Sequence, residues 1–403
     1  MNNLIVFKTN AFPTFSETFI VSNITAAIDA GFKVKIIVDT INQKSNTSQP
    51  AILEEYRLLD KVSKFRQPKG RINRYLKAFK YVLNPLLFYY FLRYLILKKK
   101  VSLSYLFILK FYKDFRNTKT FHVHFATAIH PLFELKEIGF LKSNIVVTFH
   151  GYDEHGLPKG KPLKNTIHNF NKYVSHITAN TQYLKNKLVA RGFSEKDIKV
   201  IPIGIDTNFF KKTEAINTEI EPFKLITVGR FVEIKGQAYG IETVKLLKDK
   251  GYPIVYTLVG YGEELKKLQE LVAKLNLEDT VTFFGSGNQD EIKTLLKEQH
   301  LFLMTSTSDK SERCETFGVV SLEAQAMGLP IIGFKSGGFP ETLVEGITGI
   351  TVKDKDIEAM ASAIENLMLN NDRLLEMGMT AKKHIRDHFD SSIVTCKYLA
   401  LYV

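Results

Sequence analysis

The chain of 403 residues contains no tryptophan and only two cysteines, Cys314 and Cys396. Two cysteines provide neither a disulfide framework nor the ligand spacing of a zinc site, so a reducing, cytoplasmic compartment is expected. The first residues, MNNLIVFKTNAF, lack the basic region and the long apolar run of a signal peptide, and we interpret them as the first strand of the fold. A length of 403 residues exceeds one typical core and predicts two domains.

Acidic residues are almost absent from residues 61–120, where Asp114 stands against sixteen lysines and arginines. The segment carries +15 and the whole chain +13, so the remainder is close to neutral. Its apolar run from Tyr81 to Leu97 is shorter than the roughly 20 residues that span a bilayer. Two interpretations stay open. Residues of about 71–100 lie on an anionic membrane surface, or helices pack their apolar faces on the core and leave their lysines in water.

Strand-like runs alternate with helix-like runs in two successive series. The first series is LIVFK (4–8), KVKIIVD (33–39), HVHFA (122–126), IVVTFH (145–150), ITAN (177–180) and IKVIPIGID (198–206). The second is FKLITVGR (223–230), VYTLVGYG (255–262), VTFFG (281–285), LFLMTS (301–306), PIIGF (330–334) and GITV (349–352). This alternation predicts an α/β protein with two doubly wound, Rossmann-like domains, residues 1–203 and 204–385. Ligands of such sheets bind beyond the carboxyl ends of the strands, which predicts a site in a central cleft between the domains.

Charged residues follow two strands of the second series. Arg230 and Lys235 come after FKLITV, where two fixed cations suit a diphosphate. Glu315 and Glu323 come after LFLMTS, and a helix from Phe317 to Met327 would aim its first N–H groups, up to Val319, at an anion. Gly318 would let a ligand approach that backbone closely. Without a ligand, Glu315 is a residue favoured by the helix dipole and Glu323 an exposed polar position.

Three motifs of the second half, VGRFVEIKG, ETFGVVSLE and GLPIIGFKSGGFPE, resemble the retaining glycosyltransferases of family 4, which have the GT-B fold. In the first half, AFPTFSETFI, HVHFA and FHGYD are similar to members that build bacterial surface polysaccharides. The resemblance implies that the second domain binds a nucleotide-diphosphate sugar, UDP- or GDP-linked. It also implies that the helical tail, residues 386–403, returns to the first domain.

Carried over residue by residue, the resemblance assigns the donor site. Arg230 and Lys235 would hold the diphosphate, Glu315 the sugar hydroxyls and Glu323 the ribose. The backbone of Phe317, Gly318 and Val319, and the glycines of the turn KSGGFPE, would lie near the donor. Those two glycines are Gly337 and Gly338.

The resemblance also assigns residues of the first domain. His150, at the end of IVVTFH, would reach the donor sugar and join the catalytic group with Arg230, Lys235 and Glu315. Asp153 is a weaker candidate on the acceptor side, because a Gly-Tyr-Asp turn explains it equally well. Ser16, Glu17 and Thr18 follow the first strand and are acceptor-side candidates, although Thr14 and Glu17 also have the spacing of a capping box.

The expected reaction moves a sugar to a saccharide or lipid-linked oligosaccharide acceptor with retention of the anomeric configuration. The resemblance implies that no cofactor or bound metal is needed, because GT-B enzymes generally stabilise the departing diphosphate with cations and a helix dipole. The Asp-x-Asp of KDKD (353–356) precedes a helix, where acidic caps are common. The basic insertion predicts a peripheral enzyme on the inner face of the cell membrane, and no nucleic-acid motif accompanies its charge. A sugar-nucleotide epimerase of the same fold and a non-catalytic binding or scaffold protein are the alternatives.

Overall fold

Two separate parallel sheets organise the computed structural model, which describes residues 3–99, 101–157, 161–212, 221–309, 311 and 313–402. The chain divides into two units. The first comprises Met1–Asn180, Lys185–Ile201 and Thr395–Val403, and the second comprises Thr181–Leu184 and Pro202–Val394. The predicted α/β class with two parallel, Rossmann-like sheets is confirmed.

The first sheet has seven parallel strands in the order β3-β2-β1-β4-β5-β6-β7. The strands are β1 Leu4–Phe12, β2 Lys33–Ile41, β3 Val62–Lys64, β4 Thr120–His124, β5 Asn144–Phe149, β6 His176–Ala179 and β7 Ile198–Val200. The helices between them are α1 Thr18–Asp29, α2 Pro50–Glu55, α3 Arg71–Val82, α4 Pro85–Lys98, α5 Ser104–Tyr112, α6 Leu132–Glu137, α7 Tyr152–His155, α8 Lys161–Tyr173 and α9 Gln182–Ala190. The strand order changes direction between β1 and β4, which is where sheets of this kind bind ligands.

The second sheet has six parallel strands in the order β10-β9-β8-β11-β12-β13. The strands are β8 Phe223–Val228, β9 Ile254–Val259, β10 Val281–Gly285, β11 Leu301–Met304, β12 Ile331–Phe334 and β13 Gly349–Val352. The helices are α10 Gln237–Asp249, α11 Leu265–Lys274, α12 Gln289–Lys297, α13 Val319–Ala326, α14 Ile357–Met368, α15 Asn371–His388 and α16 Ser391–Leu399. Here the order changes direction between β8 and β11.

The strand interiors are apolar because both faces of each sheet are covered. Phe7 in β1, Val146 in β5 and Phe302 in β11 have no exposed surface. Such strands appear in the sequence as continuous apolar runs, and this explains why the sequence predicts most of them. The sequence does not predict the short strand β3, and β1 extends to Phe12, four residues beyond its predicted end.

The basic insertion folds into three helices that differ in how they pack. Asn84 caps α4 by accepting a hydrogen bond from the Leu87 N–H at 3.2 Å, with Pro85 in the first turn. The inner face of α4 is buried, and Tyr94 stacks on Tyr105 of α5 with ring centroids 3.7 Å apart. Packing on the core is therefore correct for α4 and α5, whereas α3 buries only Ala78. Lys100, the last residue of the predicted membrane segment, lies outside the described residues.

None of the helices in the described part of the chain is long and apolar enough to cross a bilayer. Near the carboxyl terminus, Tyr402 is fully buried and its hydroxyl hydrogen-bonds Nδ1 of His122 on β4. The other ring nitrogen of His122 hydrogen-bonds the Thr148 hydroxyl on β5 at 2.8 Å. His122 thus ties the end of the chain to the first sheet.

Candidate functional site

The charged residues of the second unit follow the two strands between which its strand order changes direction. Arg230 and Lys235 follow β8, and Glu315 precedes α13, the helix after β11. Carboxyl ends of parallel strands share one edge of a sheet, so the loops after β8 and β11 meet there. The contacts described next join five of the predicted site residues at this edge: Lys235, Glu315, Phe317, Gly337 and Gly338.

Lys235 and Glu315 form an ion pair across 80 residues of sequence. The Lys235 ammonium donates a hydrogen bond to Oε2 of Glu315, and both side chains are largely buried. Burial by itself would raise the pKa of Glu315. The Lys235 charge and hydrogen bond, together with the nearby peptide N–H groups of Phe317 and Thr316, bring that pKa below its ordinary value. Glu315 is therefore a carboxylate, with one oxygen on the ammonium and the other facing a weak donor.

That weak donor is the Phe317 N–H, which points at Oε1 of Glu315 from 3.4 Å. The predicted helix start at Phe317 was two residues early, because α13 begins at Val319 with Gly318 as its N-cap. Gly318 has φ +87°, and a Cβ there would lie 2.7 Å from Cε of Met304. The positive φ favours glycine in this turn, and the N–H groups that open the helix begin at Val319. The Phe317 ring is buried, so its residue supports the loop.

Gly337 and Gly338 lie directly against the Glu315 loop. A Cβ at Gly337 would be 1.9 Å from the Glu315 carbonyl oxygen, and one at Gly338 would be 2.1 Å from that of Thr316. The Gly338 N–H donates a hydrogen bond to the Glu315 carbonyl at 2.9 Å. The turn therefore fixes the backbone that carries Glu315, a role that its sequence did not indicate.

Glu323 lies in the second turn of α13 and is buried, with 7% of its surface exposed. The alternative of an exposed polar position was wrong. Burial raises the pKa of Glu323 to about 8. Within the described part of the chain its carboxyl group has no hydrogen-bond partner. A buried carboxyl group without a partner destabilises a fold, and such groups are concentrated at functional sites.

Arg230 differs from the other residues of the group because its side chain is exposed. Its backbone is held in place by the Gln237 side chain, which donates a hydrogen bond to the Arg230 carbonyl at 2.9 Å. An exposed guanidinium on an anchored backbone is free to fork onto two oxygens of an anion.

In the first unit, His150 directly follows β5 and is enclosed by rings. Its Nε2 is hydrogen-bonded to Nδ1 of His124 at 3.1 Å. The ring of Phe19 lies 4.4 Å and that of Phe125 4.7 Å from the His150 ring, centroid to centroid. Burial and the neighbouring His124 lower the pKa of His150 well below its ordinary value, so its imidazole is neutral. Burial lowers the pKa of His124 to about 3.

His124 is a partner of His150 that sequence reasoning missed, although HVHFA gave a signal. Its strand neighbour His122 points to the same face, and the spacing of the two histidines indicates only that common face. Phe125, the next residue, has φ +71°, which is rare for a side chain of this size. Strained backbone of this kind is concentrated at functional sites, where the surrounding structure holds it.

Asp153 is buried, and its carboxylate joins two turns. It accepts hydrogen bonds from the N–H groups of Ala126, His150 and Gly151 at 2.7, 2.9 and 3.0 Å. Burial raises the pKa of Asp153 to about 6 despite these hydrogen bonds. The placement favours the turn interpretation and gives Asp153 a role in holding His150 at the end of its strand.

The loop after β1 does not contain a capping box. Glu17 is the N-cap of α1 without a side-chain capping bond, and Thr18 is the first helical residue. Burial raises the pKa of Glu17 although a hydrogen bond from Thr14 opposes the shift. Ser16 is exposed. The side chain of Glu17 therefore does not have the helix-capping role that its spacing from Thr14 predicted.

Asp356, in contrast, has the capping role expected for the KDKD segment. Its side chain accepts a hydrogen bond from the Ala359 N–H at 2.9 Å at the start of α14. Asp354 accepts a hydrogen bond from the Thr307 hydroxyl at 2.6 Å. Both aspartates of the segment therefore hold local structure.

Two models of protein families match this chain, one over each half. The model described as Glycosyltransferase Family 4 matches residues 16–209, and that described as Glycosyl transferases group 1 matches residues 208–384. The amylovoran biosynthesis glycosyltransferase AmsK of Erwinia amylovora is 28% identical, with 96% of each chain aligned. A GDP-mannose-dependent α-(1-6)-phosphatidylinositol monomannoside mannosyltransferase of Mycobacterium tuberculosis is 25% identical over 60% of this chain and 65% of its own.

Solved structures give the same fold. HepE of Anabaena in complex with UDP superposes with a TM-score of 0.76 at 18% identity, covering 99% of this chain and 98% of HepE. HepE in complex with UDP-glucose gives a TM-score of 0.72 over the same shares. The chain therefore belongs to the group 1 and family 4 glycosyltransferases and is a glycosyltransferase with the GT-B fold.

Proposed function

We propose that this glycosyltransferase moves a sugar from a UDP- or GDP-linked donor to a saccharide or lipid-linked oligosaccharide during surface-polysaccharide synthesis. The proposal includes retention of the anomeric configuration, chemistry without a bound metal, and work on the inner face of the cell membrane. The observation that carries it is the Lys235–Glu315 pair, held beside the first turn of α13 where the second sheet changes direction.

This arrangement suits a negatively charged leaving group. An ammonium has three N–H donors, and Glu315 uses one of those on Lys235, which leaves donors for phosphate oxygens. The exposed Arg230 and the free N–H groups at the start of α13 add positive potential. Negative charge grows on the departing diphosphate in the transition state, so fixed positive groups lower the barrier.

The two glutamates of the second unit have different donor contacts in this proposal. Oε1 of Glu315 is approached by the Phe317 N–H at 3.4 Å, a weak contact, and can accept a further hydrogen bond from a sugar hydroxyl. Glu323 would accept hydrogen bonds from the ribose diol. Retention without a protein nucleophile requires attack from the face that the diphosphate leaves, with a leaving phosphate oxygen taking the acceptor proton.

The first unit would supply His150 to the reaction and Ser16, Glu17 and Thr18 to the acceptor. HepE was crystallised with UDP-glucose, which supports a nucleotide-sugar donor. The mycobacterial relative is a GDP-mannose-dependent phosphatidylinositol monomannoside mannosyltransferase. Its name supports a lipid-linked acceptor, and the basic insertion supports a peripheral membrane location.

The product's anomeric configuration tests this proposal. The purified protein would be incubated with α-linked UDP- and GDP-sugars and an extract of lipid-linked saccharides, and the new linkage would be assigned by NMR. We expect an α-linked product and an unchanged rate after treatment with EDTA. A β-linked product would contradict retention, and loss of activity that Mg²⁺ or Mn²⁺ restores would contradict metal independence. Conversion of the donor sugar without transfer would favour the epimerase.

A further inference from the structure

Helix α3 presents its apolar side chains to solvent. Ile72, Tyr75, Leu76 and Phe79 have 62–78% of their surface exposed, whereas Ala78 is buried. With 3.6 residues per turn, the four exposed side chains fall within an arc of about 100°. A surface helix of a soluble protein normally turns such an arc toward the core. In α3 the apolar arc faces solvent and not the core.

Basic residues border this apolar arc on both sides. On the same helical projection, Lys80 follows one edge of the arc and Arg71 the other, each by about 40°. No acidic residue occurs from Lys61 to Lys113. Aromatic and aliphatic side chains flanked by lysine and arginine are the pattern of helices that lie in the headgroup region of an anionic bilayer.

Helix α4 contacts α3 and divides into a buried face and an exposed face. Its inner face packs on the unit through Tyr90 and Tyr94, and Arg116 donates a hydrogen bond to the Tyr90 hydroxyl at 2.8 Å. Its outer face exposes Phe88, Leu92 and Ile96, spaced one helical turn apart. α4 is therefore anchored to the first unit and carries a second row of exposed apolar side chains. Exposed apolar side chains grouped on one helix face are typical of an interaction site.

We propose that the apolar arc of α3 inserts into the headgroup region of an anionic lipid bilayer, with the outer face of α4 beside it. Two partners could cover this surface, a second copy of the chain or a lipid bilayer, and the positive charge of the surface favours the bilayer. A second copy of the chain on this surface would bring two segments without acidic residues against each other, and like charges oppose such an interface. A bilayer rich in anionic lipid complements the surface in both charge and apolarity. The inference rests on the proposed function for its purpose, since a lipid-linked acceptor lies in that bilayer.

The absence of tryptophan allows a direct test. Phe79→Trp creates a single fluorophore in the arc, and Leu369→Trp creates a control at an exposed apolar position of the second unit. Both variants would be checked by thermal unfolding and then titrated with phosphatidylcholine vesicles, with and without phosphatidylglycerol. We expect a blue shift and quenching by brominated lipid for the Phe79→Trp variant with phosphatidylglycerol only, and no change in the fluorescence of the Leu369→Trp variant.

A charge-reversed variant separates insertion from simple adhesion. Adding Arg71→Glu and Lys80→Glu to Phe79→Trp should weaken partitioning about 30-fold or more, from two lost cationic contacts alone. An equal blue shift with neutral vesicles, or a shift that depends on protein concentration without vesicles, would overturn the proposal; the second result would indicate self-association. Nucleotide binding measured on the same samples tests the donor site independently, so failure at the membrane and failure of sugar transfer are distinguishable.

Discussion

Lys235→Ala is expected to lower the turnover number about 10²–10³-fold, which is the usual effect of removing one preorganised donor at a developing oxyanion. The ammonium interacts with charge that grows as the sugar–phosphate bond breaks, so the loss falls mainly on kcat and less on KM for the donor. Initial rates of nucleoside diphosphate release in the presence of acceptor would measure both constants.

The same substitution also leaves the Glu315 carboxylate without its cation. We expect the free energy of unfolding to fall by about 2 kcal/mol, less than for a fully buried pair, because the two side chains keep 18% and 16% exposure. Combining Lys235→Met with Glu315→Gln should restore the stability but not the turnover. Lys245→Ala, which removes the ion pair with Asp249 on α10, is the matched control and should leave kcat unchanged. Recovery of activity in the double variant would show that the pair is only structural.

Glu323→Gln is expected to stabilise the free protein and weaken its affinity for nucleotide. Burial raises the pKa of this carboxyl to about 8 in the folded state, against 4.5 when unfolded. The folded state therefore binds more protons between these values, and the free energy of unfolding falls as the pH rises from about 4.5 to 8. Removing the charge should increase the free energy of unfolding by about 2–4 kcal/mol at pH 7.5, which would be measured as a higher unfolding temperature.

The opposite effect is expected on binding, because a ribose diol donates hydrogen bonds that the carboxylate accepts better than an amide does. Hydrogen bonds to charged groups are worth about 1.5–3 kcal/mol, so the dissociation constant at pH 8.5 should rise about 10–100-fold in Glu323→Gln. Wild-type affinity should be about 6–20-fold weaker at pH 6.5 than at pH 8.5, since the ionised form of Glu323 binds better than the neutral form. Isothermal titration calorimetry at both pH values measures this.

The control for Glu323 is Glu358→Gln, which removes an exposed carboxyl from the first turn of α14. It should lower the unfolding temperature only slightly, through the lost interaction with the helix dipole, and leave the affinity unchanged. The phosphates of the nucleotide titrate in the same range, so the comparison that matters is the pH dependence of the wild type minus that of Glu323→Gln. Identical pH dependence in the two proteins would exclude Glu323 from the ribose site.

The sequence predicted the two sheets because parallel strands covered on both faces appear as uninterrupted apolar runs. It failed for β3, which has only three residues, all partly exposed, in a basic segment. The start of α13 was placed two residues early because TFG continues the apolar pattern of the helix, whereas the positive φ of Gly318 ends the loop there. Periodicity alone does not reveal where a backbone turns.

The sequence proposed the candidate residues of the second unit one by one, but it did not predict the contacts among them. Lys235 and Glu315 are 80 positions apart, and only the chain path brings the ammonium to the carboxylate. The burial of Glu323 depends on what covers α13. The sequence showed that residues of about 71–100 mix apolar and basic side chains, yet a pattern indicates which side chains share a face and not whether that face meets protein or solvent. The Lys235–Glu315 contact, the burial of Glu323 and the exposure of α3 all depend on the three-dimensional path of the chain.

The most direct test of a nucleotide-sugar site is thermal unfolding with UDP, GDP, ADP and CMP, on the wild type and on Glu323→Ala. A ligand at about 100 times its dissociation constant adds about 2.7 kcal/mol to the free energy of unfolding. We predict that one of the four nucleotides, either UDP or GDP, raises the unfolding temperature of the wild type, and that the increase is smaller in the variant. If none of the four nucleotides stabilised the wild type, the donor site described for the second unit would be contradicted and a non-catalytic scaffold would become the better account.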